Sequence, residues 1–273
     1  MTYREAVELL AGAGIEDAQY DARELFLAFG GARMPIRGDF SSDSVALADA
    51  IRRRAEREPL QYIIGRVGFY REGYKVDSRC LIPRSDTEML VDYGVKNIPE
   101  GALFLDLCTG SGCVAVSTLK NTRDTRCVAV DISSGALEIA GENAELNGVL
   151  DRLELRSLDL LGEGEELVSL KPYAVLSNPP YVADSVYEGL EGEIFHEPRG
   201  AFVGGEDGGD FYRRLLPLFA GAIAEGGFIA FEIGYDQAPL ARSLAQMYSL
   251  DLEIIKDLGG NDRVAVYRKR DSL

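Results

Sequence analysis

The sequence predicts an α/β protein: a mostly parallel sheet of seven strands, preceded by a small helical bundle and a β-hairpin linker. Three observations carry this. From about residue 101, apolar β-like runs alternate with amphipathic helical segments, the pattern of a parallel sheet with helices on both faces. Residues 1–65 show helical spacing without that alternation. A Gly-rich turn follows the first strand of the alternating region, and an acid ends the next strand. In open α/β sheets ligands bind at that edge.

Thr2-x-x-Glu5 reads as a capping box, followed at helical spacing by Tyr3, Ala6, Val7 and Leu10. A second helix is expected near Asp17–Phe29, stopped by Gly30-Gly31. A third follows Ser41-Ser42, carries Val45, Leu47 and Ile51, and ends before Pro59. Residues 66–100 hold three short β-like runs, Gly68–Tyr70, Gly73–Val76 and Cys80–Pro83, and read as a hairpin linker. Thr87–Val91 looks like the start of a helix. Strands are then expected at Ala102–Leu107, Arg126–Val130, Leu153–Arg156, Tyr173–Ser177, Gly227–Glu232, Leu252–Lys256 and Arg263–Tyr267. Helices fall at Val114–Lys120, Ala136–Asn147, Tyr212–Ala224 and Gln237–Met247. The last two strands suit the antiparallel edge such sheets often carry. Three regions result: 1–65, 66–100 and 101–273.

Composition narrows the class. The 273 residues are 46% hydrophobic and 27% charged, which excludes a disordered chain, a collagen or a disulfide scaffold. The net charge of −16 argues against binding a nucleic-acid backbone, which needs concentrated Lys and Arg. Apolar runs fall far below the ~20 residues a bilayer needs, and no signal-peptide core opens the chain. Cys80, Cys108, Cys113 and Cys127 form no C-x-x-C pair beside a single His196, so no metal site is expected. Reduced thiols in a cytoplasmic protein are the expectation.

The first site motif is Asp106-Leu107-Cys108-Thr109-Gly110-Ser111-Gly112, between a strand and a helix. Its glycines let a ligand approach the backbone, and the helix N-terminus is polar toward it. Asp131 ends the next strand, placed to accept both ribose hydroxyls of a nucleoside; a tight turn beside an exposed Asp is the plainer alternative. The loop lacks the third Gly of a dinucleotide fingerprint and the Lys of a P-loop. Asp106 suits a ligand with an ammonium group, which S-adenosylmethionine has and NAD lacks. It equally suits a buried acid that ties down the loop.

The second motif, Ser177-Asn178-Pro179-Pro180-Tyr181, ends the fourth strand. Two prolines fix the backbone, supply no N–H and leave carbonyls free to accept. Asn178 offers an acceptor oxygen and Tyr181 a flat face. The set suits a planar –NH2 group, whose hydrogens go to the Asn178 oxygen and a proline carbonyl. Its nitrogen lone pair then turns toward a methyl donor.

On these motifs the C-terminal part resembles class I S-adenosylmethionine-dependent methyltransferases with a Rossmann-like sheet. The whole chain resembles the HemK/PrmC family of protein-(glutamine-N5) methyltransferases that modify peptide chain release factors. Glu58–Gly65, Leu81–Glu88, Asp106–Gly112, Asp131, Ser177–Tyr181, Glu197-Pro198, Gly204–Gly208, Phe211–Arg214 and Asp257–Arg263 carry the match. The resemblance implies that Cys108, Thr109, Gly110, Ser111 and Gly112 wrap the methionine part of S-adenosylmethionine and Asp131 holds its ribose. Asp159 and Leu160 border the adenine, and Asn178 touches both cofactor and substrate. Asn178, Pro179, Pro180 and Tyr181 hold the glutamine side chain, with Asn178 and Pro179 as the catalytic pair. Residues 83–88 close over the site, and residues 1–65 dock the release factor. The chain departs from many relatives at Cys108, where they carry Gly, at Ser85, where they carry Pro, and at Leu160, which is aromatic in some.

The expected activity is methyl transfer to the glutamine amide of the Gly-Gly-Gln motif, leaving S-adenosylhomocysteine, by a monomer without nucleic acid or membrane. Two rivals are a nucleic-acid methyltransferase acting on adenine N6 or guanine N2, and a non-catalytic binding module. Arg52, Arg53, Arg54 and Arg57 form a basic cluster that reads as a solvated helix face rather than a partner contact. His196 is expected to be structural.

Overall fold

The computed structural model describes residues 1–31, 40–190 and 192–269. They fall into two units, Met1–Arg66 with the 3-10 turn Gly192–His196, and the remainder.

The first unit is helical. Helix α1 (Tyr3–Gly12) opens on the expected capping box: Thr2 Oγ1 accepts from the Glu5 amide, and the Glu5 carboxylate from the Thr2 amide. Helices α2 (Ala18–Phe29), α3 (Val45–Ala55) and α4 (Leu60–Ile64) complete it around Leu10, Leu25, Phe26, Leu47, Ile51 and Ile63. α4 was not expected; it is one short turn behind Pro59, ended by the left-handed Gly65. Three of the four clustered arginines are paired with acids of the same unit. Arg52 pairs with Asp49 and Glu56, Arg53 with Glu58, and the buried Arg54 with Asp21 and Glu193. Arg57 donates to the Gly14 carbonyl.

The second unit begins at Val67, within β1 (Arg66–Phe69), which forms a two-stranded sheet with β2 (Glu72–Lys75). The third expected run, Cys80–Pro83, is not a strand. It has no strand to pair with, and the Ile82 amide donates instead to the Glu197 carboxylate. Helix α5 (Glu88–Asn97) follows.

The large sheet then builds in order: β3 (Leu103–Leu107), α6 (Cys113–Asn121), β4 (Arg126–Asp131), α7 (Ser134–Leu146), β5 (Leu153–Ser157), α8 (Glu165–Val168), β6 (Ala174–Ser177) and α9 (Asp184–Tyr187). The rest is α10 (Asp210–Ala220), β7 (Phe228–Glu232), α11 (Ala238–Met247), β8 (Leu250–Lys256) and β9 (Asp262–Lys269). α10 ends four residues before the expected Ala224, whose amide turns to the Pro172 carbonyl.

Strand order is β5-β4-β3-β6-β7-β9-β8. The first five strands are parallel, and β9 joins β7 and β8 antiparallel. Alternation along each strand feeds two apolar layers. Phe104, Ala129, Leu176 and Phe228 face one, with Leu90, Val116 and Leu119. Leu105, Val130, Val175 and Phe231 face the other, with Leu216, Phe219 and Leu244. The order reverses between β3 and β6, so the loops leaving these two strands diverge and open a crevice. Among the described residues no helix is long and apolar enough to cross a membrane, and no group of His, Cys, Asp or Glu is placed to hold a metal ion.

Candidate active site

The loop from β3 to α6 is held by a buried acid. Asp106 Oδ2 accepts from the Thr109 hydroxyl at 2.6 Å and the Ala115 amide at 3.0 Å. Burial pushes its carboxyl up to about 7, against the pull of Thr109 and Ala115. Asp106 does not line the cavity, so the structure supports the loop-tying reading over contact with a ligand's ammonium group. Gly112 is left-handed (φ 79°) at the start of α6. A Cβ there would lie 3.0 Å from Ala140 Cβ and 3.1 Å from Ala140 Cα. Gly110 also has positive φ, yet its missing Cβ would meet nothing within 4 Å. Cys108 holds the same left-handed conformation with a side chain, at φ 59°.

Asp131 meets this loop from β4. Its Oδ2 accepts from the Gly110 amide and its Oδ1 from the Ser133 amide, each at 2.9 Å. Burial raises its carboxyl, and the amides of Ser133, Gly110 and Ile132 oppose the rise. On the far side, Asp159 Oδ1 accepts from the Leu161 amide at 3.0 Å and turns the chain after β5.

At the end of β6 the Ser177 hydroxyl donates to the Leu107 carbonyl at 2.6 Å, tying β6 to β3. Asn178 Nδ2 donates to Thr87 Oγ1 at 3.0 Å. That leaves the carboxamide oxygen free to accept. The Pro179 carbonyl accepts no hydrogen bond from the described residues. The Tyr181 hydroxyl donates to Glu232 Oε1 at 3.1 Å. Gly204 packs against this turn: a Cβ on it would sit 2.4 Å from the Pro180 carbonyl oxygen.

These elements enclose a cavity of about 340 Å3. Of the expected residues, Cys108, Thr109, Gly110, Ser111, Asp131, Asp159, Leu160, Asn178 and Pro180 line it. Gly112, Pro179 and Tyr181 do not: Gly112 packs on α7, Pro179 is buried, and Tyr181 is turned to Glu232. The wall also includes residues the sequence did not single out, such as Arg79, Ile132 and Leu158, besides Phe211 from the Phe211–Arg214 segment and Arg84 and Thr87 from the expected closing segment. Ile132 carried a readable signal, an apolar residue directly after the acid, and it stands 68% exposed. His196 is exposed and is not among the residues that line the cavity. Arg84 is paired with the buried Glu197 carboxylate, whose other oxygen accepts from the Ile82 amide, so residues 81–84 are fastened to the wall.

The open cradle at Gly110, the half-buried Asp131 carboxylate beside it and an apolar slot beyond fit an amino-acid nucleoside. With the strand order and the antiparallel edge, they define a class I methyltransferase, a fold that uses S-adenosylmethionine. Residues 2–65 match the model of the PrmC N-terminal domain and residues 85–203 that of the methyltransferase small domain. A release factor glutamine methyltransferase of Caulobacter vibrioides is 38% identical over 96% of this chain and 93% of its own length. One from Moorella thermoacetica is 35% identical over 98% and 97%. The chain belongs to the release factor glutamine methyltransferase family. The hMettl16 catalytic domain, solved in complex with the MAT2A 3'UTR hairpin 6, shares the fold at 12% identity, with a TM-score of 0.59 over 93% of each chain.

Proposed function

We propose that the protein methylates the side-chain amide of the glutamine in the Gly-Gly-Gln motif of peptide chain release factors. The observation that carries this is the turn after β6, where the Asn178 oxygen and the Pro179 carbonyl are both free of partners among the described residues. Both are acceptors, and a primary amide presents two N–H donors.

An amide nitrogen is a poor nucleophile because its lone pair is delocalised into the carbonyl. Catalysis is then chiefly positioning, with acceptors that favour the pyramidal nitrogen of the transition state. Asn178 and Pro179 take the two amide hydrogens and direct the lone pair into the cavity. Pro180 and Tyr181 form the stiff frame around the glutamine side chain. Cys108, Thr109, Gly110 and Ser111 form the cradle for S-adenosylmethionine, with Gly112 letting the loop pack on α7 behind it; Asp131 accepts from its ribose, and Asp159 and Leu160 border its adenine. When bound, the cofactor supplies an electrophilic methyl group on a sulfonium and leaves as S-adenosylhomocysteine. The amide nitrogen gains one bond to carbon and gives up one proton to solvent. Residues 83–88 cover the reacting groups, and the helical unit docks the release factor. The protein works as a monomer.

The test is transfer from labelled S-adenosylmethionine to a purified release factor, beside a control with the Gly-Gly-Gln glutamine replaced. Label on the first alone is expected. Label on DNA or RNA instead, with salt-dependent binding, would overturn the reading in favour of a nucleic-acid amino methyltransferase.

A further inference from the structure

We propose that Glu232 is the positioning residue that sets the Asn178–Tyr181 turn by holding Tyr181. This deepens the methyl-transfer reading above and rests on it.

Glu232 ends β7, a strand otherwise made of Phe228, Ile229, Ala230 and Phe231. In the parallel pairing of β6 with β7, Ser177 stands opposite Phe231. One step further along the strands come Asn178 and Glu232, so the acid is delivered to the base of the turn. It is 1% exposed and lines no part of the cavity. A carboxylate kept in an apolar strand end without contact to solvent or ligand needs a local purpose.

That purpose is visible in its partners. Oε1 takes the Tyr181 hydroxyl at 3.1 Å. Burial pushes the carboxyl up to about 7, and the hydroxyls of Thr87 and Tyr181 oppose that rise. Thr87 is itself 1% exposed and is the residue that receives Asn178 Nδ2. The carboxylate thus fixes the Tyr181 side chain by a direct hydrogen bond. Oε2 has no hydrogen-bond partner among the described residues and remains as acceptor capacity on this side.

The backbone around Glu232 is fixed as well. Its carbonyl accepts from the Tyr212 hydroxyl at 2.9 Å. Gln237, five residues on, donates from Nε2 to the Tyr181 carbonyl at 3.0 Å, while its Oε1 accepts from Tyr212 and the Gly234 amide. Tyr181 is therefore gripped at both ends, by its hydroxyl and by its carbonyl. A small displacement of the acceptors from the amide they orient is costly in rate, because turnover here depends on alignment.

The experiment compares Glu232→Ala, Glu232→Gln, Tyr181→Phe and the Glu232→Ala/Tyr181→Phe double variant. Readouts are kcat and KM with release factor, Kd for S-adenosylmethionine, and hydrogen exchange of peptides covering residues 177–182 without substrate. Glu232→Ala should lower kcat about tenfold or more, leave cofactor Kd within about twofold, and speed exchange at Tyr181 and Val182. Glu232→Gln keeps an acceptor of the same size and should recover most of kcat. The double variant should be no slower than the slower single, as expected for partners in one contact. Wild-type kcat and exchange in Glu232→Ala, or a double variant showing the product of the single losses, would overturn the proposal. If the wild-type enzyme leaves release factor unlabelled, the functional reading fails. The exchange arm, measured without substrate, still decides whether Glu232 sets the turn.

Discussion

Asn178 stands on the cavity wall with its carboxamide nitrogen already committed to Thr87. Its oxygen accepts from none of the described residues, so the residue has an acceptor to offer an N–H donor. Replacing it with Ala removes the acceptor that the proposed mechanism uses to favour the pyramidal amide nitrogen. Asn178→Ala should lower kcat over ~100-fold with S-adenosylmethionine affinity largely retained. Steady-state kinetics with release factor and calorimetry with the cofactor check both halves. Near-normal turnover would remove Asn178 from the mechanism. His196, the residue most easily mistaken for a general base, is exposed outside the cavity, and its replacement by Ala offers a control with unchanged turnover.

The loop from β3 to α6 separates two kinds of glycine. Gly110 faces open space, whereas Gly112 packs against the α7 backbone at Ala140. Both have positive φ, so Ala at either position costs about 1–2 kcal/mol of strain. At Gly112 the clash adds about 1–2 kcal/mol more, because α6 or α7 must shift. Urea unfolding should therefore rank Gly112→Ala as the less stable variant. Gly110→Ala should lose more cofactor affinity than stability, since its Cβ enters the cradle. Equal unfolding midpoints would refute the close-packing argument. Such distinctions were not in the sequence. The G-x-G turn, Asp131 and the Asn178–Tyr181 motif were legible there because each is a local string whose chemistry needs no partner to be recognised. The strands were legible because both faces of the sheet are covered, which makes each one a short apolar run. What failed to show was tertiary. Cys80–Pro83 has strand-like composition, but its Ile82 amide is taken by Glu197, 115 residues away in sequence. Arg54 looked like part of a solvated face and is buried against Asp21. Glu232 read as the end of a strand, and only the register beside Asn178 gives it a task.

The same sheet buries two carboxyl groups, Asp106 within β3 and Glu232 at the end of β7, and both are pushed up to about 7 by desolvation. Their ordinary values are 3.8 and 4.5. Between those values and about 7 the folded protein keeps protons that the unfolded chain has released. Stability therefore falls as pH rises through this window and stays lower above it. Asp207 acts in the opposite sense: Arg213 holds it down at about 2, so its contribution is lost only in strong acid. The net charge of −16 adds general repulsion as pH rises, but salt screens that repulsion far more than it screens buried groups. At about 1 M salt, where the screening length is about 3 Å, the protein should still melt higher at pH 5.5 than at pH 8. Each buried acid accounts for about 2 kcal/mol of the difference, together about 5–10 °C in Tm. Asp106→Asn and Glu232→Gln, measured by thermal melting across the same range, should each remove part of the slope. A slope that vanishes in high salt would assign the effect to net charge. A slope that persists unchanged in both variants would place the titrating groups elsewhere.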